Sequence, residues 1–117
     1  MFSSAKRSVF VFNSFGIGQT GDAELKMILA RKFLTLIAQA EPLPAQLCFY
    51  PEGVRLCLDD SPVLAELKTL ESKGVELVLC STCLERLGLT ERVAVGVVGG
   101  MPDIITAMTA ADKVITL

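Results

Sequence analysis

The stretch VELVLCSTCLERLG, residues 75–88, carries the clearest structural signal in the sequence. Its first part, residues 75–79, is rich in Val and Leu and has the length of a strand. This run stops at Cys80, and a short helical segment over about residues 82–86 follows and closes at Gly88. The stretch therefore predicts a buried strand that turns directly into a short helix.

The same alternation of strand and helix runs through the rest of the chain. The predicted strands are residues 8–12, 46–50, 75–79, 93–98 and 113–117. The predicted helices are residues 22–40, a helix that Ser61-Pro62 opens and Gly74 ends, residues 82–86 and residues 103–111. Because each strand-helix unit takes roughly 30 residues, we expect parallel strands joined by crossover helices. The fold prediction is a single-domain three-layer α/β/α sandwich with a mostly parallel five-stranded sheet.

The first predicted helix has a regular apolar pattern. Its apolar residues follow spacings of 3, 1, 4, 3 and 1 and form one stripe of an amphipathic helix, namely Leu25, Ile28, Leu29, Phe33, Leu36 and Ile37. Thr20 or Asp22 is expected to cap this helix, and Glu24 suits the positive end of its dipole.

The length of 117 residues fits one domain over residues 1–117, with residues 1–7 as a short N-terminal extension. The chain contains no His, which excludes Ser-His-Asp and Cys-His catalysis and His-ligated metals. Its 11 basic and 13 acidic residues are scattered, so no basic patch for nucleic acid is expected. No apolar run reaches the roughly 18–20 residues of a membrane span.

The apolar content is high for a chain of this size, at 51% hydrophobic residues and a mean hydropathy of +0.53. We therefore expect a homo-oligomer in which subunits cover one another's apolar faces. No convincing signal peptide is present, which predicts a cytoplasmic protein with reduced thiols. No cofactor is expected.

The fold itself predicts where a site lies. In open parallel sheets the binding crevice lies outside the carboxyl ends of the strands. Those ends fall at residues 13–21, 50–60, 80–83 and 99–102. Three of the four cysteines fall there, namely Cys57, Cys80 and Cys83.

Cys80 and Cys83 are the candidate catalytic residues. Cys80 ends a strand and Cys83 lies in the first turn of the next helix, where backbone amides and the helix dipole should lower a thiol pKa. The positive charge of Arg86 or Arg55 could add to this effect on the thiol pKa. The alternatives are two small core residues or a dithiol redox pair. A zinc site is disfavoured because no second Cys-x-x-Cys exists and Cys48 lies inside a strand.

A glycine-rich loop follows the first strand. Residues 16–21 match the G-x-G-x-x-G pattern after a strand and before a helix, so Ser14, Gly16, Gly18 and Gly21 are candidate residues for binding a nucleotide or small anion. The expected acidic partner comes later than usual, at Glu52. The alternative is a flexible loop that covers the crevice beside Cys80.

Several stretches together resemble a known family. The motifs are GVELVLCSTCL at residues 74–84 with Gly88-Leu89, GDAEL at residues 21–25, GVRL at residues 53–56 with SPVL at residues 61–64, and ADKVI at residues 111–115. The chain resembles the DsrE-like sulfurtransferase-related family, and more narrowly the carboxyl-terminal domain of YedF-type selenium-metabolism proteins. The resemblance covers nearly the whole chain.

This resemblance implies a DsrE/DsrF-type sandwich that forms trimers or hexamers. It places a persulfide on Cys80, with Gly88 in register, and matches Cys83 to the second cysteine of the YedF-type subgroup. It also implies sulfur donor and acceptor proteins as partners, with TusA-like proteins among the candidates. YedF-type proteins usually carry an amino-terminal TusA-like domain, and only seven residues precede the first predicted strand here.

Residues and resemblance lead to one main hypothesis and two alternatives. The main hypothesis is a cytoplasmic sulfur or selenium carrier that holds a persulfide on Cys80, with Cys83, or Cys57, as the thiol that releases it. One alternative is a non-catalytic oligomer that binds a nucleotide or small anion on the loop at Gly16–Gly21. The other is a redox sensor that cycles between dithiol and disulfide.

Overall fold

Five strands and four α-helices alternate along residues 6–117, the part of the chain that a computed structural model describes. The strands are β1 (Ser8–Phe12), β2 (Gln46–Phe49), β3 (Glu76–Cys80), β4 (Val97–Gly99) and β5 (Lys113–Thr116). The helices are α1 (Ala23–Ile37), α2 (Leu64–Ser72), α3 (Ser81–Leu87) and α4 (Met101–Ala110), with 3₁₀ helices at Glu52–Cys57 and Thr90–Arg92. Residues 1–5 of the predicted N-terminal extension lie outside the described residues.

The strands form one sheet in the order β4-β3-β2-β1-β5, and every neighbouring pair is parallel. The predicted α/β fold with a five-stranded sheet is confirmed. All five residues of β1 are buried, and the four after Ser8 are apolar, because a parallel sheet is covered on both faces and its inner strands are mostly apolar.

Helices cover both faces of the sheet. Phe10 and Phe12 of β1 point toward α1, where their rings lie 5.2 and 6.0 Å from the ring of Phe33. Helix α2 lies beside α1, and Arg31 forms a salt bridge with Glu66 across the two helices. On the other face α4 packs through its buried residues Ile104 and Ala107, close to Val78 and Gly99 of the sheet.

The apolar stripe predicted for α1 is corrected by the structure. The buried residues of α1 are Ala30 and Leu34, and Met27, Phe33 and Ile37 pack against the core at the edge of this face. Four members of the predicted inward stripe are exposed by 40–68%, namely Leu25, Ile28, Leu29 and Leu36. Helix α1 is therefore apolar on two faces. Its predicted cap is present, since Asp22 accepts a hydrogen bond from the Leu25 N–H at 3.0 Å.

Two element boundaries also differ from the prediction. Pro62 lies before α2, because the Ser61 hydroxyl accepts the Val63 N–H and forms a turn that delays the helix. Strand β4 covers only Val97 and Val98 of the predicted run 93–98 and extends by one residue to Gly99. The residues before it follow a different course, with Val93 bridged to Leu58 instead of β3.

Helix α4 begins at Met101, before the predicted start at residue 103. The Asp103 carboxylate reaches back and accepts the Gly100 N–H at 2.8 Å, so this residue lies inside the first turn. Within residues 6–117, no helix combines the length and the apolar character needed to cross a membrane.

Candidate thiol site

Cys80 lies at the junction of β3 and α3, at the carboxyl edge of the sheet. It is the last residue of the strand and also caps the helix, with extended backbone angles and a sulfur that accepts the Cys83 N–H at 3.4 Å. Gly88 ends α3 in the left-handed conformation, with a φ of 71°. The predicted strand-to-helix turn is therefore present, and it directs a backbone donor at the Cys80 sulfur.

The thiol of Cys83 also interacts with Cys80. Burial raises the pKa of Cys83 to about 11, and a hydrogen bond with the Cys80 side chain adds to the rise because it favours the protonated thiol. The expectation that the helix terminus lowers the thiol pKa is wrong for Cys83. Cys83 therefore holds its proton, and its N–H is a donor to the Cys80 sulfur.

The two thiols differ in accessibility. Cys80 is only 2% exposed, whereas Cys83 is half-buried. Cys83 lines an open cavity of about 260 Å³ together with Pro51, Glu52, Thr82, Arg86 and Leu87. Cys80 is not part of that lining, so a molecule entering from this side meets Cys83 before it reaches Cys80.

The wall of this cavity opposite α3 is the start of the 3₁₀ helix Glu52–Cys57. Gly53 lets this helix pack on the end of β1, since a Cβ at Gly53 would lie 1.9 Å from the carbonyl oxygen of Phe12. Beside it, the Glu52 carboxylate pairs with Arg55 at 2.5 Å. Arg55, a predicted helper of the thiol, is therefore engaged by a carboxylate.

Arg86 shares the cavity with Cys83. Among residues 6–117, no carboxylate lies within 4.0 Å of its guanidinium, whereas Arg31, Arg55 and Arg92 each form such a pair. Sequence reasoning named Arg86 but missed Glu52 as a cavity residue. The signal was present, because Glu52 follows β2 at the same carboxyl edge of the sheet as Cys80.

The remaining two cysteines lie in the core. Cys57 is fully buried, and burial, followed by the nearby Glu71 charge, raises its thiol pKa well above the usual value. It does not line the cavity beside Cys83, so the structure does not bring this predicted releasing thiol to the site. Cys48 is fully buried in β2, as its place in a strand predicted, and burial raises its pKa to about 11, with a smaller effect of Glu76.

The glycine-rich loop is folded onto α1. Gly16 has a φ of 132°, and a Cβ there would lie 2.6 Å from the Cβ of Lys26. The Ile17 N–H donates to the Lys26 carbonyl at 3.1 Å, and Ser14 contacts Gly16 through its hydroxyl and its carbonyl. The structure therefore places this loop against the first turns of α1, and it does not bring the candidate binding residues Ser14, Gly16, Gly18 and Gly21 to the cavity beside Cys83.

Metal ligands do not converge in the described part of the chain. Across residues 6–117, no group of three or more His, Cys, Asp or Glu side chains could hold a metal ion. All four cysteines carry free thiols. The chemistry that this site offers is therefore that of two adjacent thiols beside an arginine.

Comparison with known proteins identifies the family. The model of the DsrE/DsrF-like family matches residues 6–117. This chain belongs to the DsrE/DsrF-like family. Comparison of this DsrE/DsrF-like sequence with curated proteins gives no match.

Solved structures similar to this DsrE/DsrF-like chain share its fold. The ychN protein from E. coli has a TM-score of 0.74 and 21% identity, with 97% of this chain and 100% of that chain covered. Protein MTH1491 from Methanobacterium thermoautotrophicum has a TM-score of 0.70 and 22% identity, with 97% and 100% covered. Protein BT1422 from Bacteroides thetaiotaomicron has a TM-score of 0.61 and 13% identity, with 94% of each chain covered.

Proposed function

We propose that this DsrE/DsrF-like chain carries sulfur as a persulfide on Cys80 and passes it to a partner protein. The family is linked to sulfur relay in general. The observation that carries the proposal is the hydrogen bond that the Cys83 N–H donates to the Cys80 sulfur, at 3.4 Å. This N–H would stabilise an anionic sulfur at Cys80, and a sulfur anion is the nucleophile that this chemistry requires.

The proposed reaction has two transfers. The Cys80 thiolate attacks the outer sulfur of a donor persulfide, a new S–S bond forms, and the donor thiolate leaves with the electron pair of the broken S–S bond. An acceptor thiolate then takes the outer sulfur, and the Cys80 thiolate is the leaving group. Each transfer is balanced without an external oxidant or reductant.

Cys83 takes a different role from the one first expected. With a pKa of about 11, little of its thiol ionises near neutral pH, so it is poorly suited to attack a persulfide. We assign it the role of hydrogen-bond donor to Cys80. Because Cys83 lies between Cys80 and the cavity, rotation of its side chain would open the path for a donor.

Mass spectrometry after incubation with a persulfide donor tests this proposal. The wild type is expected to gain one sulfur atom on the peptide that contains Cys80, and Cys80→Ser is expected to gain none. Cys83→Ser keeps a hydroxyl donor at the same place and should still accept sulfur. An adduct that persists in Cys80→Ser, or the lack of any adduct in the wild type, would contradict the proposal.

The proposed partners are a sulfur donor and an acceptor protein, with a TusA-like protein as the first acceptor to test. We also propose a homo-oligomer, a trimer or a hexamer, that covers the exposed face of α1. Four free thiols are compatible with a reducing compartment, so we place the activity in the cytoplasm. The narrower likeness to YedF-type proteins makes selenium a second element to test as cargo.

A dithiol switch is the second candidate, favoured by the contact between the Cys80 and Cys83 side chains. A cellular disulfide would oxidise the pair by thiol-disulfide exchange. The reduction potential of the pair distinguishes the two functions. A switch requires a potential close to that of the cytosolic glutathione pool, whereas a carrier remains in the dithiol form there.

A further inference from the structure

The geometry points to Arg86 as the residue that selects the sulfur donor, and to a small persulfide bearing a carboxylate as that donor. This inference rests on the proposed function, because it concerns the donor of the same thiol site. Arg86 would bind the carboxylate and would not touch the reacting sulfur atoms. It is therefore a specificity-determining residue.

Helix α3 places the charged side chain of Arg86 next to the thiol of Cys83. Cys83 and Arg86 are three residues apart, so their side chains leave the helix on the same face, with Cβ atoms roughly 5–6 Å apart. Both line the cavity of about 260 Å³. A molecule bound there can contact Arg86 at one end while its other end lies against Cys83.

Arg86 is the cationic side chain that lines the cavity, and it is the group that would attract an anion. The Glu52 carboxylate on the opposite wall is paired with Arg55 at 2.5 Å. Arg86 has no carboxylate within 4.0 Å in the described part of the chain, so its positive charge remains available to a ligand. Its planar guanidinium offers two parallel N–H donors that match a carboxylate.

The size and lining of the cavity limit the donor further. Drug-sized ligands occupy pockets of about 300–1,000 Å³, so a cavity of about 260 Å³ suits a smaller molecule. Pro51 and Leu87 supply apolar walls, which fit a short carbon chain. A short carboxylate-bearing persulfide has these properties.

The chemical step remains the balanced transfer described above. The donor R–S–SH gives its outer sulfur to the Cys80 thiolate, one S–S bond forms as another breaks, the proton stays on the transferred sulfur, and R–S⁻ leaves with the electron pair. Arg86 holds the carboxylate of R before and after the transfer. Its contribution should therefore appear in donor binding more than in the rate at saturating donor.

Two matched donors test the inference. Carboxymethyl persulfide carries a carboxylate, and hydroxyethyl persulfide carries a hydroxyl in its place. The rate of sulfur gain on Cys80 is measured against donor concentration by quenched-flow mass spectrometry. We expect Arg86→Gln to raise the half-saturating concentration of the carboxylate donor about tenfold. The half-saturating concentration of the hydroxyl donor should change less than about twofold. In Arg86→Lys, the half-saturating concentration of the carboxylate donor should lie between those of the wild type and Arg86→Gln.

Arg31→Gln is the matched control, since it removes an arginine from α1, outside the cavity. It should leave the half-saturating concentrations of both donors unchanged. This inference would be overturned if Arg86→Gln raised the half-saturating concentrations of both donors equally, or if the wild type did not prefer the carboxylate donor. The sulfur-carrier proposal would stand in either case. Lack of sulfur gain from either donor in the wild type would overturn both.

Discussion

At the residue scale, Gly53 determines how the cavity wall meets the sheet. The 3₁₀ helix Glu52–Cys57 crosses the end of β1 so closely that only a hydrogen fits between the Gly53 Cα and the Phe12 carbonyl. The Tyr50 N–H also donates to that carbonyl, at 3.1 Å, so the oxygen cannot move away without losing a hydrogen bond. The position of Glu52 beside Cys83 depends on this contact.

Replacing Gly53 with Ala should therefore destabilise the protein. The added Cβ would meet the Phe12 oxygen at 1.9 Å, and we expect a loss of about 2–3 kcal/mol in the free energy of unfolding, measured by urea denaturation. Gly21→Ala is the control, because a Cβ at Gly21 meets nothing within 4 Å. Similar stabilities of the two variants would show that the close packing at Gly53 is unimportant.

The pH dependence of Cys83 alkylation is a second test at this scale. Because the thiolate is the reactive form and the pKa is raised to about 11, labelling by iodoacetamide should keep rising up to about pH 11. An ordinary cysteine levels off above its pKa of about 8.5. Tandem mass spectrometry, which locates the label within the peptide, separates Cys83 from Cys80, and a plateau near pH 9 would contradict the raised pKa.

At the site, the sequence predicted the positions of Cys80 and Cys83 but not those of Cys57 and the glycine-rich loop. The first two follow from local structure, since a strand that turns into a helix must place both thiols at the carboxyl edge of the sheet. The positions of Cys57 and of the glycine-rich loop depend on packing between segments that are distant in the sequence. Cys57 turns inward with its 3₁₀ helix, and Gly16 is held by Lys26 of α1.

At the element scale, α1 shows the limit of apolar periodicity. The spacing of its apolar residues predicted the helix correctly, yet it did not show which of two apolar faces packs on the sheet. The side chains that pack there include the small residue Ala30, which allows close approach, while the larger Leu29 and Leu36 face outward. Periodicity reports that a face is apolar and does not report what covers it.

The outer face of α1 gives a third prediction. If subunits cover this face, Leu29→Lys combined with Leu36→Lys should convert the oligomer to a monomer, because two charges would enter an apolar contact. Sedimentation velocity measures the change, and circular dichroism should show that the helix content is kept. Lys68→Gln, at an exposed position of α2, is the control, and a monomeric wild type would contradict the prediction.

Strand β2 gives a fourth prediction through Cys48, whose pKa is raised to about 11 by burial. Between the ordinary thiol pKa of 9.0 and 11, the folded protein keeps a proton that the unfolded chain has lost. Stability is therefore full below about pH 9 and falls as the pH rises toward 11, by about 1.4 kcal/mol per pH unit for this group. Urea denaturation at several pH values measures the slope.

The control for this prediction is Cys48→Val, which removes the thiol but keeps an apolar side chain in the core. Its stability should fall less steeply above pH 9 than that of the wild type. A residual slope is expected, because the pKa values of Cys57 and Cys83 are raised as well. Identical slopes in variant and wild type would mean that Cys48 does not titrate with unfolding.

At the scale of the whole molecule, the sequence predicted the class of the sheet, a mostly parallel one of five strands, but not the order of its strands. Alternating strands and helices predicted parallel pairing, and the four crossovers make every pair parallel. The position of β5 beside β1 depends on α4, which carries the chain from one edge of the sheet back across its other face. Local sequence does not encode that return.

The pairing of β5 with β1 has a consequence for folding during synthesis. Strand β1, SVFVF, is synthesised well before β5, and its outer edge is closed only when Lys113–Thr116 pair with it. Until then an apolar, β-branched and aromatic strand presents unpaired backbone groups, the arrangement through which strands of different chains associate. Strand β5 therefore protects β1 from aggregation, and loss of β5 would expose that edge.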